Sequence, residues 1–434
     1  MKIRRSARPL CLAASLFLLG PWLRPATAQL LGPEFQVNTY TTGFQGNSAV
    51  AADALGNFVV VWSSYLQDGS SRGVFGQRFN SAGSAVGSEF LVNSYTTSDQ
   101  AYPAVAADSS GSFVVAWESL GQDGSSYGVF AQQFNSAGSP LGSEVPVNGF
   151  TEGQQRRPAV AASGSGNFVV VWDSFGQDGW GFGVFGRRYD SAGAPLGSEF
   201  QVNTYTANSQ WNPAVAADGS GNFVVVWASA DQDGSGDGVF GQRFNSVGSP
   251  VGSEFPVNTY TTNDQWYPAV AADGSGNFVA VWQSYGQDGE WDGVFGQRFN
   301  SVGSAVGSEF LVNSYTTGGQ RRPAVAADGS GNFVVVWVGE GQNDYGGIFG
   351  QRFSLSGGPV GSEFLVNTEN TPNQRYPAVA AEVSGNFVVV WESDGQDGSG
   401  YGVFGKRLAV ALFSDGFESS NACAWSAAVG GGCP

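Results

Sequence analysis

The chain has 434 residues, with 19 Lys and Arg against 36 Asp and Glu, a net charge of −17, no histidine and three cysteines. Without histidine, Ser-His-Asp triads, histidine general bases and His-rich zinc sites are excluded. The one lysine after residue 28, Lys406, leaves little room for Schiff-base chemistry. The acidic balance repels phosphate backbones and anionic membranes, so neither nucleic acid nor a bilayer is an expected partner.

Residues 1–28 read as a secretory signal peptide. Lys2, Arg4, Arg5 and Arg8 form a basic start, Pro9 to Leu23 an apolar stretch, and Ala26-Thr27-Ala28 a small-residue cleavage site. The apolar run is shorter than the ~20 residues of a membrane span and contains Pro21, which argues against membrane insertion. Its removal leaves 14 basic and 36 acidic residues, a net charge of −22. The expected destination is secretion or the cell surface.

From Glu34 onward one unit recurs. FVVVW or a one-letter variant ends at Trp62, Trp117, Trp172, Trp227, Trp282, Trp337 and Trp391, with a spacing of 55 residues five times and 54 once. A fixed period of this length marks a repeat architecture. Each unit holds four short apolar segments bounded by Gly, Asn, Asp or Ser: AVAA, NFVVVW, GVFGQRF and EFxVN. Valine and aromatic enrichment between regular turn signals reads as β-strand. The small side chains of AVAA suit a strand crowded near an axis, and FVVVW, apolar on successive residues, needs burial on both faces.

The expected fold is all-β, a seven-bladed β-propeller of four-stranded antiparallel blades. The chain opens with a fourth strand, Glu34 to Asn38, and its seventh unit stops after a third, Gly402 to Leu408. Pairing these two would close the ring and remove exposed sheet edges; Ala409 to Phe413 could pair there instead. The expected organisation is 1–28 signal peptide, 29–411 propeller and 412–434 tail. Cys423 and Cys433 in that tail are placed to form a local disulfide.

Most chemistry-bearing residues recur in every unit and are explained by the fold. Arg78, Arg188, Arg243, Arg298, Arg352 and Arg407 share one strand position, which suggests hydrogen bonding between blades. Asp53, Asp108, Asp218, Asp273 and Asp328 sit in the turn between the first two strands, where Ser163 and Glu382 replace them, and read as hairpin geometry. Asp68, Asp123, Asp178, Asp233, Asp288 and Asp397 follow Gln in a Gln-Asp-Gly loop, with Asn343-Asp344 in the sixth unit. An Asx turn explains them; one calcium per blade is the sharper reading, though one carboxylate per loop is a thin donor set. No other cofactor is expected.

Variation concentrates in the crossover from each fourth strand to the next first strand. It reads Gln-x-x-Pro, with Ser48 for proline in the first unit, and the variable pairs are Gly46-Asn47, Ala101-Tyr102, Arg156-Arg157, Trp211-Asn212, Trp266-Tyr267, Arg321-Arg322 and Arg375-Tyr376. These slots precede the inner strand and should surround the mouth of a central channel. Ordinary packing between blades would account for them. The functional reading is a ligand mouth at Arg156, Arg157, Trp211, Trp266, Tyr267, Arg321, Arg322, Arg375 and Tyr376, with aromatic faces against sugar rings and guanidinium forks on carboxylate or sulfate.

The strings QDGSxxGVFGQRFNSxGxxxGSEFxVNTYT and DGSGNFVVVW resemble tandem repeats of secreted bacterial proteins, mostly uncharacterised and expected to form propellers. The resemblance covers residues 34 to 408 and implies an extracellular bacterial protein without supplying an activity. The segment Leu412 to Ser426, LFSDGFESSNACAWS, looks similar to a C-terminal extension of various secreted bacterial proteins, which implies sorting or surface display; a plain tail is the alternative. The expected function is a non-catalytic binding or display module whose partner is an acidic glycan or cell-surface polymer. Two alternatives stand beside it: a propeller glycoside hydrolase or sialidase-like enzyme using carboxylates such as Asp237, Glu290, Asp292 and Glu340, and a purely structural matrix protein.

Overall fold

In the computed structural model, residues 29–30, 32–341, 346–369, 371, 373–382 and 385–409 are described. Residues 1–28, expected to be a signal peptide, the segment with Cys423 and Cys433, and the pair Asn343-Asp344 lie outside them. Every regular element among the described residues is a strand. Each unit becomes one antiparallel sheet in chain order, such as blade 1 with Gln45–Ala52, Phe58–Tyr65, Arg72–Phe79 and Ala85–Leu91. Seven such sheets form the expected seven-bladed propeller of four-stranded blades.

The pattern of FVVVW has a direct cause. Phe58, Val60 and Trp62 pack with Val388, Val390 and Val403 of blade 7, whereas Val59 and Val61 pack with Val105, Val115 and Trp117 of blade 2. Successive side chains point to opposite faces of a strand, so a sheet covered on both sides must be apolar at every position. Seven equivalent clusters result, one at each blade boundary, including the boundary between blades 7 and 1. All seven tryptophans of this strand are fully buried.

The N-terminal strand closes the ring. Phe35 and Gln36 pair with Gly405 and Phe404, and Gln29 and Leu30 pair with Ala409 and Leu408. Glu34 then repeats a bond set found in the other blades. It accepts from Thr368 N at 2.8 Å and from Gln396 Nε2 at 2.5 Å, as Glu254 accepts from Thr204 N and Gln232 Nε2. In blades 1 to 5 and 7 the Gln of Gln-Asp-Gly and a Glu of the outer strand thus tie that strand to its own loop and to the preceding blade.

Five of the six recurrent arginines bond to the next blade. Arg78 donates to Ser136 O at 2.8 Å and Arg188 to Ser246 O at 2.8 Å, each in the next blade. Arg407, expected to do the same, pairs instead with Glu382 in a turn of its own blade at 2.8 Å, because a glutamate there reaches where the shorter aspartate of other blades does not. The turn aspartates organise hairpins: Asp218 Oδ1 accepts from Ser220 N and Asn222 N, both at 2.9 Å. The loop aspartates close Asx turns, as Asp68 Oδ1 does with Ser70 N at 3.0 Å and Asp397 Oδ1 with Ser399 N at 3.1 Å. Among the described residues no three metal-ligating side chains gather around them.

Candidate functional site

A pair of buried amides first pins each crossover. Asn93 Oδ1 accepts from Val74 N at 2.7 Å, its Nδ2 donates to Tyr95 O at 2.8 Å, and Gln100 Nε2 donates to Thr97 O at 2.8 Å. The inner strand then bulges. In blade 3, Arg156 pairs with Asp173 and Ala159 with Val171, so Arg157 and Pro158 together face the single residue Trp172. Proline suits this place because it brings no N–H to leave unpaired.

The bulge puts the second variable residue of every slot into the left-handed backbone region. Asn47, Tyr102, Arg157, Asn212, Tyr267, Arg322 and Tyr376 have φ of 53°, 50°, 50°, 51°, 50°, 54° and 52°. For non-glycine residues this conformation costs roughly 1 kcal/mol each. It turns all seven side chains inward. With the residue that follows each of them, they line one cavity of about 500 Å³.

The pleat therefore divides the nine predicted mouth residues. Arg157, Tyr267, Arg322 and Tyr376 line the cavity, together with Tyr102, Asn47 and Asn212. Arg156, Trp211, Trp266, Arg321 and Arg375 precede the bulge and are not among its lining residues. Their arginines turn to the loops between second and third strands on the same face. Arg156 lies 5.1 Å over Phe182 and Arg375 3.5 Å over Tyr401, while Arg321 Nε meets Asp292 Oδ2 at 2.7 Å and its NH1 meets Glu340 Oε1 at 2.8 Å.

At the cavity, Arg322 is held between Tyr267 and Tyr376, with its guanidinium carbon 4.5 Å and 4.1 Å from the two ring centres. Three blades away, Arg157 pairs with Asp173 at 3.2 Å and keeps 43% of its side chain exposed. The opening so presents two guanidinium groups, three phenols and two amides.

One set of residues escaped the sequence reading. The residue after each strand tryptophan reads Ser63, Glu118, Asp173, Ala228, Gln283, Val338 and Glu392. Five of these side chains sit behind the ring and hold the strained N–H groups of the next blade, Ala228 and Val338 having no acceptor: Ser63 Oγ accepts from Tyr102 N at 3.2 Å, Glu118 Oε2 from Arg157 N at 3.1 Å, Asp173 Oδ2 from Asn212 N at 3.4 Å, Gln283 Oε1 from Arg322 N at 3.1 Å and Glu392 Oε1 from Asn47 N at 2.5 Å. Their variability inside an otherwise uniform strand was the available signal. Three are buried acids. Burial pushes Glu118 up to about 7, helped by the nearby Asp173 charge and opposed by the Arg157 N–H. Burial also raises Asp173 to about 6 against Arg157 and Arg156, and lifts Glu392 despite Arg375.

No family model and no curated protein matches the chain. The fold has many counterparts among solved structures. A protein of unknown function from Dyadobacter fermentans aligns with a TM-score of 0.52 at 10% identity, covering 87% of this chain and 98% of its own. A fungal alcohol oxidase of the AA5 family, in complex with copper, aligns with a TM-score of 0.52 at 12% identity over 88% of this chain and 76% of its own. The β-propeller domain of the Trilobed protease from Pyrococcus furiosus, described as having an open velcro topology, aligns with a TM-score of 0.50 at 9% identity over 85% and 94%. Glycoside hydrolases, a sialidase included, align more weakly with TM-scores of 0.47 to 0.49, too low to bear on activity. These likenesses show the propeller fold and leave its function undetermined.

Proposed function

We propose that the chain is a secreted or surface-displayed binding module, without catalysis, that takes an acidic carbohydrate at the propeller mouth. The observation that carries this reading is the convergence of seven left-handed residues on one opening, with Arg157 and Arg322 three blades apart. Strain repeated at the same place in every blade is sustained by the fold and aims variable side chains at one space. Guanidinium forks suit a sugar carboxylate or sulfate, phenol rings suit the apolar face of a pyranose, and amides suit hydroxyls. Both arginines stand in a protein of net charge −17, where their position is not explained by general basicity.

A glycan array followed by calorimetry on the best ligand tests the reading. Binding should fall at least tenfold in Arg157→Ala/Arg322→Ala. Absence of binding to any glycan by the wild-type protein overturns it.

The hydrolase alternative has one observation behind it, two acids with raised pKa beside Arg156 and Arg157. Glu118 and Asp173 are only 4% and 0% exposed, and each already holds a backbone N–H. That placement suits support of the ring better than proton transfer to a glycosidic oxygen. Turnover of the bound glycan that disappears in Glu118→Gln would reverse this preference.

A further inference from the structure

The repeat provides an internal standard for one carboxylate. Asp237 and Asp292 open the third strands of blades 4 and 5 at equivalent positions and are 7% and 5% exposed. Asp292 has its countercharge, Arg321 Nε at 2.7 Å, reaching from the crossover of the next blade. One blade back, the residue in that slot is Trp266. The slot of Asp237's own blade holds Trp211, where blades 3 and 7 have Arg156 over Phe182 and Arg375 over Tyr401. Both slots that deliver a guanidinium elsewhere carry indoles around Asp237.

Nothing replaces the missing charge. Among the described residues the Asp237 carboxylate is in no ion pair and accepts no hydrogen bond. Negative charge accumulates instead: Asp264 Oδ1 accepts from Asp237 N at 3.1 Å, and Asp231 and Asp233 also act on the carboxyl. In blade 5 the places of Asp231 and Asp264 are taken by Gly286 and Gly319. Burial first, then these three carboxylates, push Asp237 up to about 7. Trp266 Nε1 is also buried without a partner.

We propose that the boundary of blades 4 and 5 is a binding site for an organic cation, a guanidinium or alkylammonium group, held by Asp237 and Asp264 with Trp211 and Trp266 in the flanking slots. Arg321 Nε on Asp292 shows the same scaffold accepting a guanidinium group, and indole faces attract such cations. A metal ion fits less well, because no three metal-ligating side chains converge among the described residues. The site is separate from the mouth, since Arg157 and Arg322 take no part in it; a failed glycan array leaves it standing.

Calorimetry of the full chain with agmatine, methylammonium and calcium chloride tests it. Agmatine should bind wild type at one saturable site at pH 8 and more weakly at pH 6, where a proton competes for Asp237. Asp237→Asn should weaken binding at least tenfold, with thermal unfolding as the check on folding; Asp264→Asn serves if that variant does not fold. Arg321→Ala should gain a second equivalent of agmatine, at the vacated Asp292. Failure of wild type to bind either organic cation overturns the proposal, as does unchanged affinity in Asp237→Asn. Calcium binding tighter than agmatine, and lost in Asp237→Asn, also overturns it by making the site a metal site.

Discussion

Glu118 and Gln283 do the same work with different chemistry. Each accepts the N–H of a left-handed arginine in the next blade at 3.1 Å, yet only the glutamate carries an ionisable group into a buried site. The folded Glu118 carboxyl titrates near 7 against an ordinary value of 4.5. The unfolded chain therefore loses this proton at lower pH than the folded one. The linked stability is complete below about pH 4.5 and is lost as pH rises to about 7. A shift of this size corresponds to about 3 kcal/mol. Glu118→Gln should accordingly unfold at higher urea than wild type at pH 8 and at nearly the same urea at pH 5. Equal midpoints for the two proteins at pH 8 would show that the carboxylate ionises without cost.

At the scale of the strand, six blades have glycine in the middle of the third strand and a phenylalanine paired with it on the outer strand, as Gly241 pairs with Phe255. A Cβ on Gly241 would stand 2.9 Å from the Phe255 ring. Blade 2 differs at both places, pairing Ala131 with Val145. The exchange is a matter of volume: the methyl fits once the ring is gone. Gly241→Ala should destabilise by about 2 kcal/mol through overpacking. Adding Phe255→Val should recover more than half of that loss by removing the clash, a coupling visible in a double-mutant cycle by urea unfolding. Strict additivity of the two changes would contradict the account.

For the ring as a whole, closure rests on residues far apart in sequence. Val37 is buried in the cluster joining blades 7 and 1, Phe35 packs against it, and Glu34 ties blade 7 to Thr368 of blade 6. Deleting residues 29–38 removes this strand and exposes the edge of Tyr401–Ala409. The shortened chain should lose roughly 3 kcal/mol or more, from buried Val and Phe alone, and should associate through the bared edge. Urea unfolding and light scattering read the two effects; a monomer as stable as the full chain would deny closure any energetic role.

The period, the strand order, the inter-blade arginines and the closing strand were legible in the sequence because they are properties of one unit repeated, and a pattern seen seven times needs no coordinates. The face carrying the variable slots was legible too, since antiparallel connectivity decides it. Which member of each slot enters the cavity was not, because Arg156 and Arg157 are neighbours of one type and only the bulge, with its φ near 50°, sends one to the axis and the other to a loop. Nor could sequence pair Glu118 with Arg157, or show Asp237 stripped of the guanidinium that Asp292 keeps. Those relations join different blades. Local order in this chain follows from alternation and turn chemistry within about 55 residues, whereas the chemistry of its mouth and flank depends on side chains that meet only when the circle is closed.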